Sequence, residues 1–169
     1  MNLCRVLFLY YTKRQLRLVM EREEHGLWVS APFESNETGK IILGACRLDV
    51  ERFRKKGRMV YRMTVGWPYD ESADLPSEEL AGRMEGVRIR LEEAFRKDPV
   101  AVLTEIYTGD GLREWVFYTM SLHIFQKKLN EALADLPGYP LVFSAEEDPE
   151  WEEYSATAEM VSRLADDEC

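Results

Sequence analysis

Cysteine is scarce in this chain of 169 residues: Cys4, Cys46 and Cys169 lie far apart, with no Cys-x-x-Cys pair. An odd count at such spacing excludes a disulfide framework. A reducing compartment is the simplest setting. Long apolar runs are also missing, and nothing approaches the roughly 20 apolar residues of a membrane span. The N-terminal "MNLCRVLFLYYTKRQ" is apolar but no signal peptide: Arg5 interrupts the run, the basic residues follow it, and no small-residue cleavage site appears. A cytoplasmic protein, off the membrane, is expected. Positive charge is in deficit, at a net −9. That excludes a general nucleic-acid binder, which needs a basic patch, and leaves a basic protein partner open.

Catalytic signatures are absent as well. His123 falls off the apolar stripe of its helix, and no nucleophile, base and orienting group accompany it. The glycines of "TGDG" (108–111) open a strand, whereas a phosphate cradle opens a helix. The carboxylates from Glu146 to Glu153 lack the ligand spacing and central glycine of a calcium loop. No metal and no cofactor are expected.

What is present is a core. Hydrophobic residues make up 46% and aromatics 11% of the chain, enough for a domain that buries roughly 70% of its unfolded surface. Residues 26–165 read as a single α+β domain, and residues 1–25 as an N-terminal extension. Within the extension, residues 3–11 suit a strand or apolar anchor. Residues 13–26 suit a helix whose Leu16, Val19, Met20 and Glu23 share a face.

Strands follow at 40–50 and 58–69. In the second, Met59, Tyr61, Met63, Val65 and Trp67 alternate against Val60, Arg62, Thr64 and Gly66. The basic "ERFRKKG" (51–57) joins them. Ser77 caps a helix over 78–97 with an apolar face at Leu80, Met84, Val87, Leu91 and Phe95. Gly82 and Gly86 lie on one side of it, a spacing that suits close helix–sheet approach. Strands at 100–107 and 112–118 flank TGDG as an antiparallel hairpin. Ser121 starts a helix to 136, 141–145 is a short strand, and Asp148-Pro149 starts the last helix, turning Trp151 and Tyr154 inward.

This order predicts an antiparallel sheet with the ferredoxin-like split βαβ order (βαββαβ), an extra N-terminal strand and a C-terminal helix. Such a sheet leaves one face to water. Yet strand 112–118 is apolar at both parities, with Leu112, Val116 and Tyr118 on one side and Trp115 and Phe117 on the other. The N-terminal segment, the last helix or another subunit must cover the second face. Because the early segment lacks a convincing helix face, a homodimer is expected.

Taken in order, "GWPYD…LPSEELAGRMEGV", "YTGDGLREWVFYT" and "EEDPEWEEY" resemble the bacterial domain-of-unknown-function family numbered 695. The matching residues are Trp67, Leu75, Pro76, Glu79, Thr108, Gly111, Arg113, Glu114, Trp115, Phe117, Tyr118, Asp148, Pro149, Trp151 and Tyr154. The resemblance spans about residues 26–160. Asp74 stands where the family usually has glycine. Some members are fused to a domain like the protein regulator of ribonuclease E, which implies a regulatory setting.

Two functions fit the sequence. One is a non-catalytic protein-interaction or regulatory module. The other is an enzyme or small-ligand binder on a surface of Trp67, Tyr69, Arg113, Glu114 and Tyr118, where the arginine could fork onto a carboxylate or phosphate.

Overall fold

A computed structural model describes residues 19–23, 26–35, 37–70 and 72–167. Its strands are β1 (Val19–Glu23), β2 (Gly26–Glu34), β3 (Ile41–Arg47), β4 (Tyr61–Pro68), β5 (Ala101–Gly109), β6 (Leu112–Thr119) and β7 (Val142–Glu147). The helices are α1 (Glu51–Arg54), α2 (Glu78–Lys97), α3 (Leu122–Ala132) and α4 (Glu152–Asp167). One sheet of order β1-β2-β3-β5-β6-β4-β7 runs through the α+β domain, and every neighbouring pair is antiparallel.

Local chemistry sets the elements. The Ser77 hydroxyl accepts from the Leu80 N–H at 3.2 Å and Glu78 and Glu79 occupy the first turn of α2, where the helix dipole favours anions. Ser121 caps α3 in the same way, accepting from Ile124 at 3.3 Å. The β5–β6 hairpin closes on Asp110 and Gly111, both at positive φ (53° and 74°), while Gly109 pairs with Leu112. That is a two-residue type I′ turn, one that twists with its strands.

The sheet carries a core on each face. Alternating residues of β4, β5 and β6 (Met63, Val65, Trp67, Leu103, Trp115, Phe117) pack under α2 and α3, which contribute Met84, Val87, Leu91, Phe95, Phe125 and Leu129. The opposite parity (Val29, Ala31, Phe33, Cys46, Val102, Tyr118) meets Trp151, Tyr154 and Val161. The last helix therefore covers the doubly apolar sheet. Gly44 makes room in this layer: a Cβ there would sit 2.2 Å from the Phe33 ring.

Several expectations are corrected. The described part of the expected 13–26 helix is a strand: β1 pairs with β2 from Val19–Ser30 to Glu23–Gly26. Its incomplete apolar face is a poor match for helix packing, and a pairing partner lies a few residues ahead. The remainder of that helix and the expected strand at 3–11 fall outside the described residues. β2 is a further strand that the sequence pattern does not announce, because Pro32 interrupts its alternation. Gly82 and Gly86 face outward, and a Cβ on either would meet nothing within 4 Å. They do not mediate helix–sheet contact. Pro149 sits in a turn before α4, outside its first helical turn.

Candidate functional site

The pleat of β6 divides the residues singled out from sequence. Arg113 is in register with Trp67 on the α2–α3 face. Trp67 is buried there, its ring 4.3 Å from that of Tyr139. Arg113 lies 3.4 Å from Glu85 Oε2, with its guanidinium 5.7 Å from the Trp115 ring centroid. Burial lowers the Arg113 pKa, and Glu85 offsets only part of that. Tyr69, just past β4, donates its backbone N–H to Gly111 O at 2.8 Å and its hydroxyl to Asp74 O at 3.1 Å. Glu114 and Tyr118 lie on the other face, in register with Gly66 and Arg62. The structure thus brings Trp67 and Arg113 together, with Tyr69 at the strand end, and sets Glu114 and Tyr118 apart from them.

On the α4 face, a polar network crosses the apolar layer. Tyr118 donates to Asp148 Oδ2 at 2.6 Å. Asp148 also accepts the N–H groups of Glu152 (2.8 Å) and Glu153 (3.2 Å), so its carboxylate caps α4. Glu105 is fully buried, where Tyr107 donates to it at 2.8 Å and Thr104 at 3.3 Å. Thr104 occupies the irregularity where the β5 register shifts between Leu103 and Glu105. Arg62 is bonded to Glu146 at 3.2 Å. Desolvation alone would lower the Arg62 pKa, but Glu105 and its neighbours outweigh it and hold the guanidinium charged. Burial, then Glu105, pushes the Cys46 thiol far above its usual range, which leaves it protonated and unreactive. The bonds of Tyr118 and Asp148 tie β6 to α4, and Glu105 is held within β5 by Tyr107 and Thr104, while the buried Arg62 Nε has no hydrogen-bond partner among the described residues.

An open cleft lies elsewhere, where the sheet extends past α2. It has a volume of about 1020 Å³. The basic run "ERFRKKG" is more than a connection between strands: its Arg52, Phe53 and Lys56 form one wall. Arg88, Ile89, Glu92, Glu93 and Arg96 of α2 form the other. The apolar surface open in the cleft comes from Leu27, Phe53, Ile89 and Pro99, with Arg47 laid across Gly26, while Phe95, Ala101, Leu103 and Phe117 beneath it are buried core residues.

The charges in this cleft are not evenly matched. Each of its carboxylates is held by a cation: Asp49 by Arg47 at 2.8 Å, Glu92 by Arg88 at 2.6 Å, Glu93 by Lys97 at 2.8 Å. Among the described residues, Arg52, Lys56 and Arg96 are exposed and have no ion-pair partner within 4.0 Å. Arg52 instead lies 4.7 Å over the Phe53 ring. The signal for these residues was in the sequence: a dense basic run in a chain of net charge −9. What the sequence did not reveal is that α2 lies opposite that run.

No group of three or more His, Cys, Asp or Glu among the described residues could hold a metal ion. No described helix is long and apolar enough to cross a membrane.

Fold and cleft together define an α+β domain with one antiparallel sheet, helices on both faces and a charged groove beside α2. The profile described as "Family of unknown function (DUF695)" matches residues 33–157, and the chain belongs to that family. The match includes all five cleft cations, Arg47, Arg52, Lys56, Arg88 and Arg96. No curated protein and no solved structure matches the chain.

Proposed function

We propose that the chain is a non-catalytic interaction module that receives a partner in the cleft between α1 and α2. The supporting observation is the set of three exposed cations, without an ion-pair partner among the described residues, around the apolar surface of Leu27, Phe53, Ile89 and Pro99. Apolar area gives affinity, and charge at the rim gives orientation and on-rate. The frame behind the cleft reads as a ferredoxin-like unit, β4-α2-β5-β6-α3-β7. In support, β6 lies between β4 and β5, and β4 between β6 and β7, so that two split βαβ crossovers interlock. The bonds within the α4-face network favour a structural role for those polar groups.

The test is quantitative capture from lysate with the intact chain and with an Arg52→Glu/Lys56→Glu/Arg96→Glu variant of equal stability. Specific partners should fall away with the variant. Partners retained in full would place the interaction elsewhere. Because Glu114 and Tyr118 lie on the opposite face, the small-ligand alternative reduces to Arg113 beside Trp67 on the α2–α3 face, and a metabolite thermal-shift screen tests it. A stabilising hit abolished by Arg113→Ala would favour it over the module.

A further inference from the structure

Accepting the cleft as the partner site, we infer that its occupant is an acidic protein segment with an apolar or aromatic anchor. Four observations combine. The carboxylates inside the cleft are neutralised in place by Arg47, Arg88 and Lys97, so the charge it offers a ligand is that of Arg52, Lys56 and Arg96. These cations stand on two walls, Arg52 and Lys56 on one and Arg96 on the other, so a bound chain meets positive charge on both sides. Between them Leu27, Phe53, Ile89 and Pro99 offer apolar surface to a hydrophobic side chain. Finally, the volume of about 1020 Å³ lies at the upper end of the range for small-molecule pockets, roughly 300–1,000 Å³.

Charge also bears on the competing occupants. Residues 1–18 of this chain carry Arg5, Lys13, Arg14 and Arg17 and no acidic residue, the same sign as the rim. A nucleic acid would match the three cations but would be repelled by the net −9 of the whole chain. A segment of alternating carboxylates and apolar groups satisfies both the rim and the apolar surface. The overall negative charge by itself pointed to a basic partner; the local geometry of the cleft points to an acidic one.

The test is selection of a random short-peptide library on the full-length chain, followed by fluorescence anisotropy with the selected peptides. Enrichment of Asp and Glu around an aromatic or aliphatic residue is expected. Binding should weaken about tenfold in the Arg52→Glu/Lys56→Glu/Arg96→Glu variant and should fall as salt rises. An Arg83→Glu/Lys127→Glu/Arg163→Glu variant makes the same change in net charge away from the cleft and should bind as the parent does. Equal losses in both variants would reduce the effect to bulk charge and overturn the inference. Selection of basic or uncharged peptides that still depend on the cleft would overturn the acidic chemistry and leave the module reading intact. Selection of no cleft-dependent peptide would count against both. A single-stranded oligonucleotide that outcompetes the selected peptides would replace the protein segment with a nucleic acid.

Discussion

The Tyr118 hydroxyl donates to Asp148 at 2.6 Å while the Tyr118 ring stacks on Trp151, with centroids 4.0 Å apart and planes 17° from parallel. One residue of β6 thus fixes both the cap and the first buried anchor of α4. The anchor is itself unusual. Trp151 has φ of 58°, a conformation that costs a non-glycine residue roughly 1–2 kcal/mol. It is held there by its indole N–H bond to Met59 O at 2.7 Å and by its burial among Tyr118 and Tyr154.

Tyr118→Phe keeps the stacking and removes the bond to Asp148. A hydrogen bond to a charged group contributes about 1.5–3 kcal/mol, so urea unfolding should show a loss in that range. Trp151→Ala should cost more, about 3–5 kcal/mol, as truncation of large buried aromatics does. An unchanged urea midpoint in either variant would contradict the packing of α4 against the sheet.

Gly82→Ala and Gly86→Ala should each stabilise the protein by about 1 kcal/mol. Both lie inside α2, face outward and leave open space for a methyl group. Thermal melts check this. A fall in melting temperature would mean that something packs against those glycines.

High pH should weaken the fold through three tyrosines. Burial, then Glu105, raises the Tyr107 pKa well above the usual value. Burial and the bond to Asp148 raise that of Tyr118, and burial and the neighbouring Cys46 raise that of Tyr154. In the unfolded chain these phenols ionise near pH ~10. Above that pH the unfolded state loses protons that the folded state keeps. The stabilisation is therefore complete below about pH 10 and declines as pH rises toward the folded-state values. Unfolding free energies measured from neutral to alkaline pH should show this decline, and Tyr118→Phe should flatten it. A flat profile in the parent would show that the three phenols are not shielded from solvent.

Much of the architecture could be read from the sequence, for identifiable reasons. The α2 face repeats at helical spacing behind a serine cap, and β5–β6 announces itself through glycines between β-branched runs. The double-sided apolar character of β6 required a cover on each face, and Trp151, just before α4, with Tyr154 and Val161 of α4 provides the second one. β1 and β2 were harder, because Pro32 breaks the alternation of β2 and the charged residues of β1 fit a helix equally well. Of the cleft, only the basic run that carries Arg52 and Lys56 was legible, and not the wall it faces. The walls of the cleft come from α1 with the turn after it and from α2, and only the return of the chain through β4 brings Arg52 and Lys56 into one cleft with Arg96.

The most direct measurement of the interaction reading is site-specific photo-crosslinking in cells. A photoreactive residue replaces Ile89, exposed on the cleft wall, or Ile124, exposed on α3 away from it. Discrete crosslinked partners at position 89 that are absent at 124, and lost when Arg52, Lys56 and Arg96 are reversed to glutamate, are the predicted result. The same partners at both positions, or at 124 alone, would contradict a partner site between α1 and α2.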